Sequence, residues 1–128
     1  MHKIGILFFA LLLIFFIDGA YAQTSEEIKI ECLIASISKM PEGIKFIRNG
    51  KAHSREEAAD HLRTKYRRGK KYAATAKLFI ENIASKSSLS RTEYSIRFVD
   101  GKTVTTHEFF TEELKRIEKR TPLTKGCL

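Results

Sequence analysis

The sequence predicts a single small α+β domain, with elements in the order α-β-β-α-α-β-β-α and a small antiparallel sheet made of two hairpins. Three observations carry this. Four stretches repeat apolar residues at the i, i+3, i+4 spacing of a helix face. The dipeptides Asn49-Gly50 and Asp100-Gly101 mark tight turns between strand-like segments. Serine, threonine and glutamate at capping-box spacing mark where strands give way to helices. Hairpins flanked by helices, without βαβ alternation, define the class.

Taken in order, residues 25–39 form the first helix. Thr24 or Ser25 caps it, Glu26 and Glu27 suit its positive end, and Ile30, Leu33, Ile34 and Ile37 make its inner stripe. Cys32 falls off that stripe, beside Ile28. Pro41 and Gly43 end the helix. Residues 44–48 make a strand, Asn49-Gly50 turns it, and residues 51–53 return. Ser54 and Glu57 form a capping box that opens a helix to about Arg68, with Ala58, Ala59, Leu62 and Tyr66 inward and Gly69 as its stop. A third helix, near 75–85, turns Ala76, Phe79, Ile80 and Ile83 inward. A polar loop with Ser85, Ser87, Ser88 and Ser90 follows. Tyr94, Ile96 and Phe98 alternate on one arm of the second hairpin, and Val104 sits on the other. Thr105 and Glu108 open a last helix with Phe110, Leu114 and Ile117 on one face, closed by Pro122.

Ahead of the domain stands the pattern of a secretory signal peptide: Lys3, an apolar run from Ile4 to Ile17, then Asp18-Gly19 and the small-x-small sequence Ala20-Tyr21-Ala22. Cleavage is expected between Ala22 and Gln23, which makes residues 1–22 the leader and 23–128 the mature domain, with a mobile tail from about residue 121. The apolar run is shorter than the roughly 20 residues that a membrane span needs. Residue 23 is glutamine, so no cysteine is available there for a lipid anchor. The expected destination is the periplasm or the exterior.

The formal net charge is +8. Lys3 and Asp18 cancel, so the mature domain keeps all of it and is drawn to anions: an anionic envelope component or an acidic protein partner, with nucleic acid set aside by export. Cys32 and Cys127 enter an oxidising compartment. A bridge between them would close nearly the whole domain into one loop, worth about 4–5 kcal/mol on the chain-entropy model. The alternative is a bridge between two chains.

Phe46-x-Arg48-Asn49-Gly50-x-x-His53, then Ala58-x-x-His61-Leu62-x-x-Lys65-Tyr66, then Phe79-Ile80-x-x-Ile83-Ala84-Ser85-x-Ser87-Ser88-x-Ser90, then Tyr94, resemble the YfeK-like family of small exported bacterial proteins, a domain of unknown function. The resemblance implies a Gram-negative periplasm and supplies neither reaction nor ligand. This chain departs from the family pattern in three places. Ile44 stands where a cysteine is expected, so no disulfide carries over to that position. Arg91 replaces an expected glycine after the serines, and Phe109-Phe110 replace a tryptophan-leucine pair that reads as core packing.

Candidate site residues gather around the first turn. Arg48, Asn49 and His53 come from the hairpin, and Glu57, His61 and Lys65 follow at four-residue spacing on one stripe of the second helix. An arginine above free helix amides suits a carboxylate or phosphate. The competing reading makes these residues ordinary surface neighbours and Asn49 a turn residue. Ser85, Ser87 and Ser88 offer turn hydrogen bonds or, with a histidine, a hydrolase nucleophile. No nucleophile-elbow motif surrounds them. His53, His61 and His107 lack zinc-ligand spacing, and His107 is expected to be packed; no metal or cofactor is implied. Lys65, Arg67, Arg68, Lys70 and Lys71, interleaved with Tyr66 and Tyr72, form either a polyanion surface or a solvated helix end.

Three functions follow from these features. The first is a periplasmic, non-enzymatic binding module for an anionic group. The second is a hydrolase using a histidine and a serine of the 85–90 loop. The third is a disulfide-linked structural partner.

Overall fold

The computed structural model describes residues 24–120 and Cys127. The expected leader, its cleavage point, Pro122 and nearly all of the expected tail lie outside the described residues. The elements are α1 (Ser25–Ser38), β1 (Lys45–Arg48), β2 (Lys51–His53), α2 (Arg55–Arg68), a 3₁₀ turn (Lys70–Tyr72), α3 (Ala76–Phe79) running on as a π-helical turn (Ile80–Ala84), β3 (Ser95–Arg97), β4 (Thr103–Thr105) and α4 (Thr106–Glu118). The α+β class and the element order are those predicted.

Each helix begins where a side chain caps it. Thr24, Ser54, Thr75 and Thr105 accept from the amides of Glu27, Glu57, Leu78 and Glu108, satisfying donors that a helix start leaves open. The Ser54 box is formed in one direction only. The carboxylate of Glu57 goes to His53 instead of back to the Ser54 amide.

The two hairpins join into one four-stranded antiparallel sheet in the order β2-β1-β3-β4. Asn49 (φ 50°) and Gly50 (φ 76°) both adopt the positive φ of the expected turn. Phe46 pairs with His53 on one side and Ile96 on the other. Side chains alternate across a strand, so Phe46, Arg48, His53, Ile96 and Tyr94 share the face that looks onto the helices.

Ile30, Leu33, Ile37, Phe79, Ile96 and Phe110 are fully buried between sheet and helices. Edge-to-face rings link Tyr66 to Phe79 and Phe79 to Phe110, with centroids 5.7 and 6.3 Å apart. Ile44 is a core residue. His107 corrects an expectation: it is exposed, because the inner stripe of α4 passes through Thr106 and Phe110 instead.

Cys32 and Cys127 are bonded to each other, with Cα atoms 5.0 Å apart. Cys32 is off the α1 stripe, yet buried. The bond holds Cys127 against α1, where Lys39 Nζ also donates to the Cys127 carbonyl at 3.2 Å. With both sulfurs in this bond, neither is left to join two chains.

Candidate functional site

A cleft of about 310 Å³ opens between the β1–β2 hairpin, α2 and the residues flanking β3. Phe46, Ile47, Ala58, Leu62 and Ala84 make its apolar wall, and Arg48, His53, Glu57, His61, Tyr94 and Thr106 its polar part. Of the residues singled out from the sequence, Arg48, His53, Glu57 and His61 therefore meet in one place. The sheet explains how. Arg48 follows Phe46 by two residues and faces inward with it, while α2 leaves the end of β2 and lays Glu57, Ala58, His61 and Leu62 across that same face.

His53 Nδ1 lies 2.9 Å from Glu57 Oε2, which places the imidazole beside the sheet. Its Nε2 is enclosed and has no hydrogen-bond partner among the described residues. A buried polar atom without a partner is uncommon enough to mark a site.

The spacing alone pairs His61 with Glu57 or Lys65; the structure pairs it with Tyr94. His61 Nε2 lies 3.3 Å from the Tyr94 hydroxyl, and Lys65 Nζ donates to that hydroxyl at 3.1 Å and to the Lys86 carbonyl at 2.9 Å. One donor order satisfies all three groups: Lys65 gives to Tyr94, and Tyr94 gives to a neutral His61. The electrostatics agree. Burial, reinforced by Arg48, Lys65 and His53, pulls the His61 imidazole down to about 4. Burial, then Arg48, lowers the Lys65 amine to about 8. Burial raises the Tyr94 hydroxyl, with Arg48 opposing.

Arg48 thus bears on three neighbours through its charge, while its own guanidinium has no hydrogen bond or ion pair with any described residue. It is half-buried, in a cleft whose Lys65, Tyr94 and Thr106 donors are engaged.

Asn49 is more than a turn residue: its Oδ1 accepts from Ser90 Oγ at 2.6 Å, tying the hairpin to the serine loop. That loop is held together by its own hydroxyls. Buried Ser85 donates its hydroxyl to the Ile80 carbonyl, and buried Ser87 accepts from the Ser90 amide at 3.3 Å. Ser88 is exposed. Among the described residues neither cleft histidine hydrogen-bonds a serine.

Lys65 leaves the expected basic patch to face Tyr94. Arg67, Arg68, Lys70 and Lys71 remain exposed, with Lys70 over the Tyr66 ring at 5.6 Å and Lys71 over the Tyr72 ring at 5.0 Å. The described residues contain no cluster of histidine, cysteine and carboxylate side chains able to hold a metal ion, and no helix long and apolar enough to cross a membrane.

Sequence reasoning missed Tyr94 and Thr106 as site residues. Tyr94 had a usable signal: it begins the alternation that continues through Ile96, and the β1–β3 register, extended by one pair, sets it opposite Arg48. Thr106 had none, since its hydroxyl reaches the Ala84 carbonyl at 2.7 Å across 22 residues.

Fold and cleft together define a small α+β domain that turns one unpaired arginine and one unpartnered histidine nitrogen into a half-apolar pocket. Residues 24–118 match the family of unknown function DUF5329, and the chain belongs to that family. It is also 35% identical over 75 residues to the uncharacterized protein YfeK of Salmonella typhimurium strain LT2, a match covering 59% of this chain and 62% of that protein. The match thus spans less than two thirds of the curated relative's length. No solved structure matches significantly.

Proposed function

We propose that this domain is a small periplasmic binding module, without catalytic activity of its own, that takes an anionic group in the cleft between β1 and α2. Arg48 is the observation that carries the reading. An arginine held half-buried, facing inward and without a described partner has a poorly compensated charge, and an incoming anion would supply both the charge and the acceptors it lacks. The net charge of +8 attracts anions from a distance. The signal-peptide pattern and the Cys32–Cys127 bond support export to an oxidising compartment.

A cleft of this size favours a small envelope component over an acidic protein partner. The serine hydrolase reading has less behind it, because the loop hydroxyls are spent on backbone and turn contacts.

Thermal unfolding in the presence of a panel of acetate, sulfate and phosphate salts tests the proposal at matched ionic strength. A ligand that binds only the folded state raises the melting temperature. At least one anion should raise it in the wild type, and the rise should vanish in Arg48→Ala. Equal rises in both proteins would overturn the proposal.

A further inference from the structure

We infer that the group held at Arg48 is the carboxylate of a small, singly charged acid with an apolar body, and not a phosphate. This rests on the anion-binding reading above and narrows it.

Donors decide the head group. A phosphate presents three or more acceptor oxygens and is met in proteins by several converging donors. Arg48 is the one charged donor in this cleft without a described partner. His53 Nδ1 is taken by Glu57, His61 Nε2 by Tyr94, and the Thr106 hydroxyl by the Ala84 carbonyl, which leaves a single neutral nitrogen on each ring beside the guanidinium. The Arg48 guanidinium offers two parallel N–H bonds, which match the two oxygens of a carboxylate.

Charge points the same way. Arg48 is the one permanent cation in the wall, and Glu57 adds a carboxylate to that wall. Lys65 is drawn aside to Lys86 and Tyr94. A monoanion balances Arg48; a dianion would leave one charge facing Glu57 in a partly desolvated space.

The wall decides the body. Phe46, Ile47, Ala58, Leu62 and Ala84 offer an apolar surface with few polar groups to anchor hydroxyls or further charges. The volume of about 310 Å³ sits at the lower end of small-molecule sites.

Nuclear magnetic resonance titrations of the nitrogen-15-labelled protein with octanoate, acetate and inorganic phosphate, each alone, test the inference. Octanoate should shift the Arg48 side-chain N–H and the amides of Phe46, Ala58 and Ala84, and bind at least about tenfold more tightly than acetate or phosphate. Arg48→Gln should abolish this binding while keeping a dispersed spectrum. Arg48→Lys, which retains the charge without the paired N–H bonds, should weaken it, and decides the matter if Arg48→Gln does not fold. Tighter binding of phosphate at these residues, or equal binding of acetate and octanoate, would overturn the ligand class and leave the anion-binding reading standing. No shift at these residues with any of the three would overturn both.

Discussion

The amine of Lys65 lies 3.1 Å from the hydroxyl of Tyr94 and 4.8 Å from the centre of its ring, so a single tyrosine holds the cation and, through the same oxygen, His61. This arrangement draws the Lys65 charge away from the cleft and leaves Arg48 to face a ligand.

Removing the hydroxyl should loosen the cluster. Tyr94→Phe leaves Lys65 and His61 each short of one partner, and loss of a partly buried hydrogen bond costs about 1–2 kcal/mol. Urea unfolding of the variant should show a loss of that order, with an unchanged m-value.

The two lowered pKa values give stability a definite pH dependence. The imidazole of His61 titrates at about 4 when folded, against an ordinary 6.5. Between those values the unfolded chain binds the extra proton, so this group makes stability fall as pH drops from 6.5 towards 4. Lys65 titrates at about 8 when folded, against an ordinary 10.5. Between those values the unfolded chain again binds more protons, so this group makes stability rise with pH. His61→Gln should flatten the acid limb alone, as read from denaturation midpoints across pH, and imidazole resonances of the wild type should show a midpoint near 4.

Arg91 occupies a left-handed conformation, φ 61°, which glycine adopts without a Cβ penalty. A non-glycine residue there is strained by about 1–2 kcal/mol, while glycine adds roughly 0.5–1 kcal/mol of unfolded-state entropy. Arg91→Gly should therefore stabilise the protein by up to about 1 kcal/mol, seen as a higher melting temperature.

The Cys32–Cys127 bond links residues 95 apart. Cys127→Ser should cost about 2–5 kcal/mol, and the wild type should run as a monomer on non-reducing gels. A disulfide-linked dimer would contradict the intramolecular bond.

Much of this fold was legible because it is written locally. Asn49-Gly50 fixes a hairpin through backbone sterics, Ser54 and Thr105 fix helix starts through one hydrogen bond each, and the inner stripe of α4 follows from its spacing. The site was half legible. Arg48, His53, Glu57 and His61 gather as their spacing suggests, but their partners do not follow from it. Glu57 turns back to His53 across the start of α2, and His61 reaches Tyr94, 33 residues away, because the sheet brings β3 beside β1 and helix periodicity does not show it. The π turn was hidden for a related reason. Its carbonyl at Ala84 is bonded by Thr106, a contact that exists only after the last helix docks.

A crystal structure of the protein grown with octanoate tests the central claim most directly. The account predicts density in the cleft with both carboxylate oxygens on the Arg48 guanidinium and the chain against Phe46 and Leu62. Octanoate bound instead along Arg67, Arg68, Lys70 and Lys71, with the cleft bare, would contradict it.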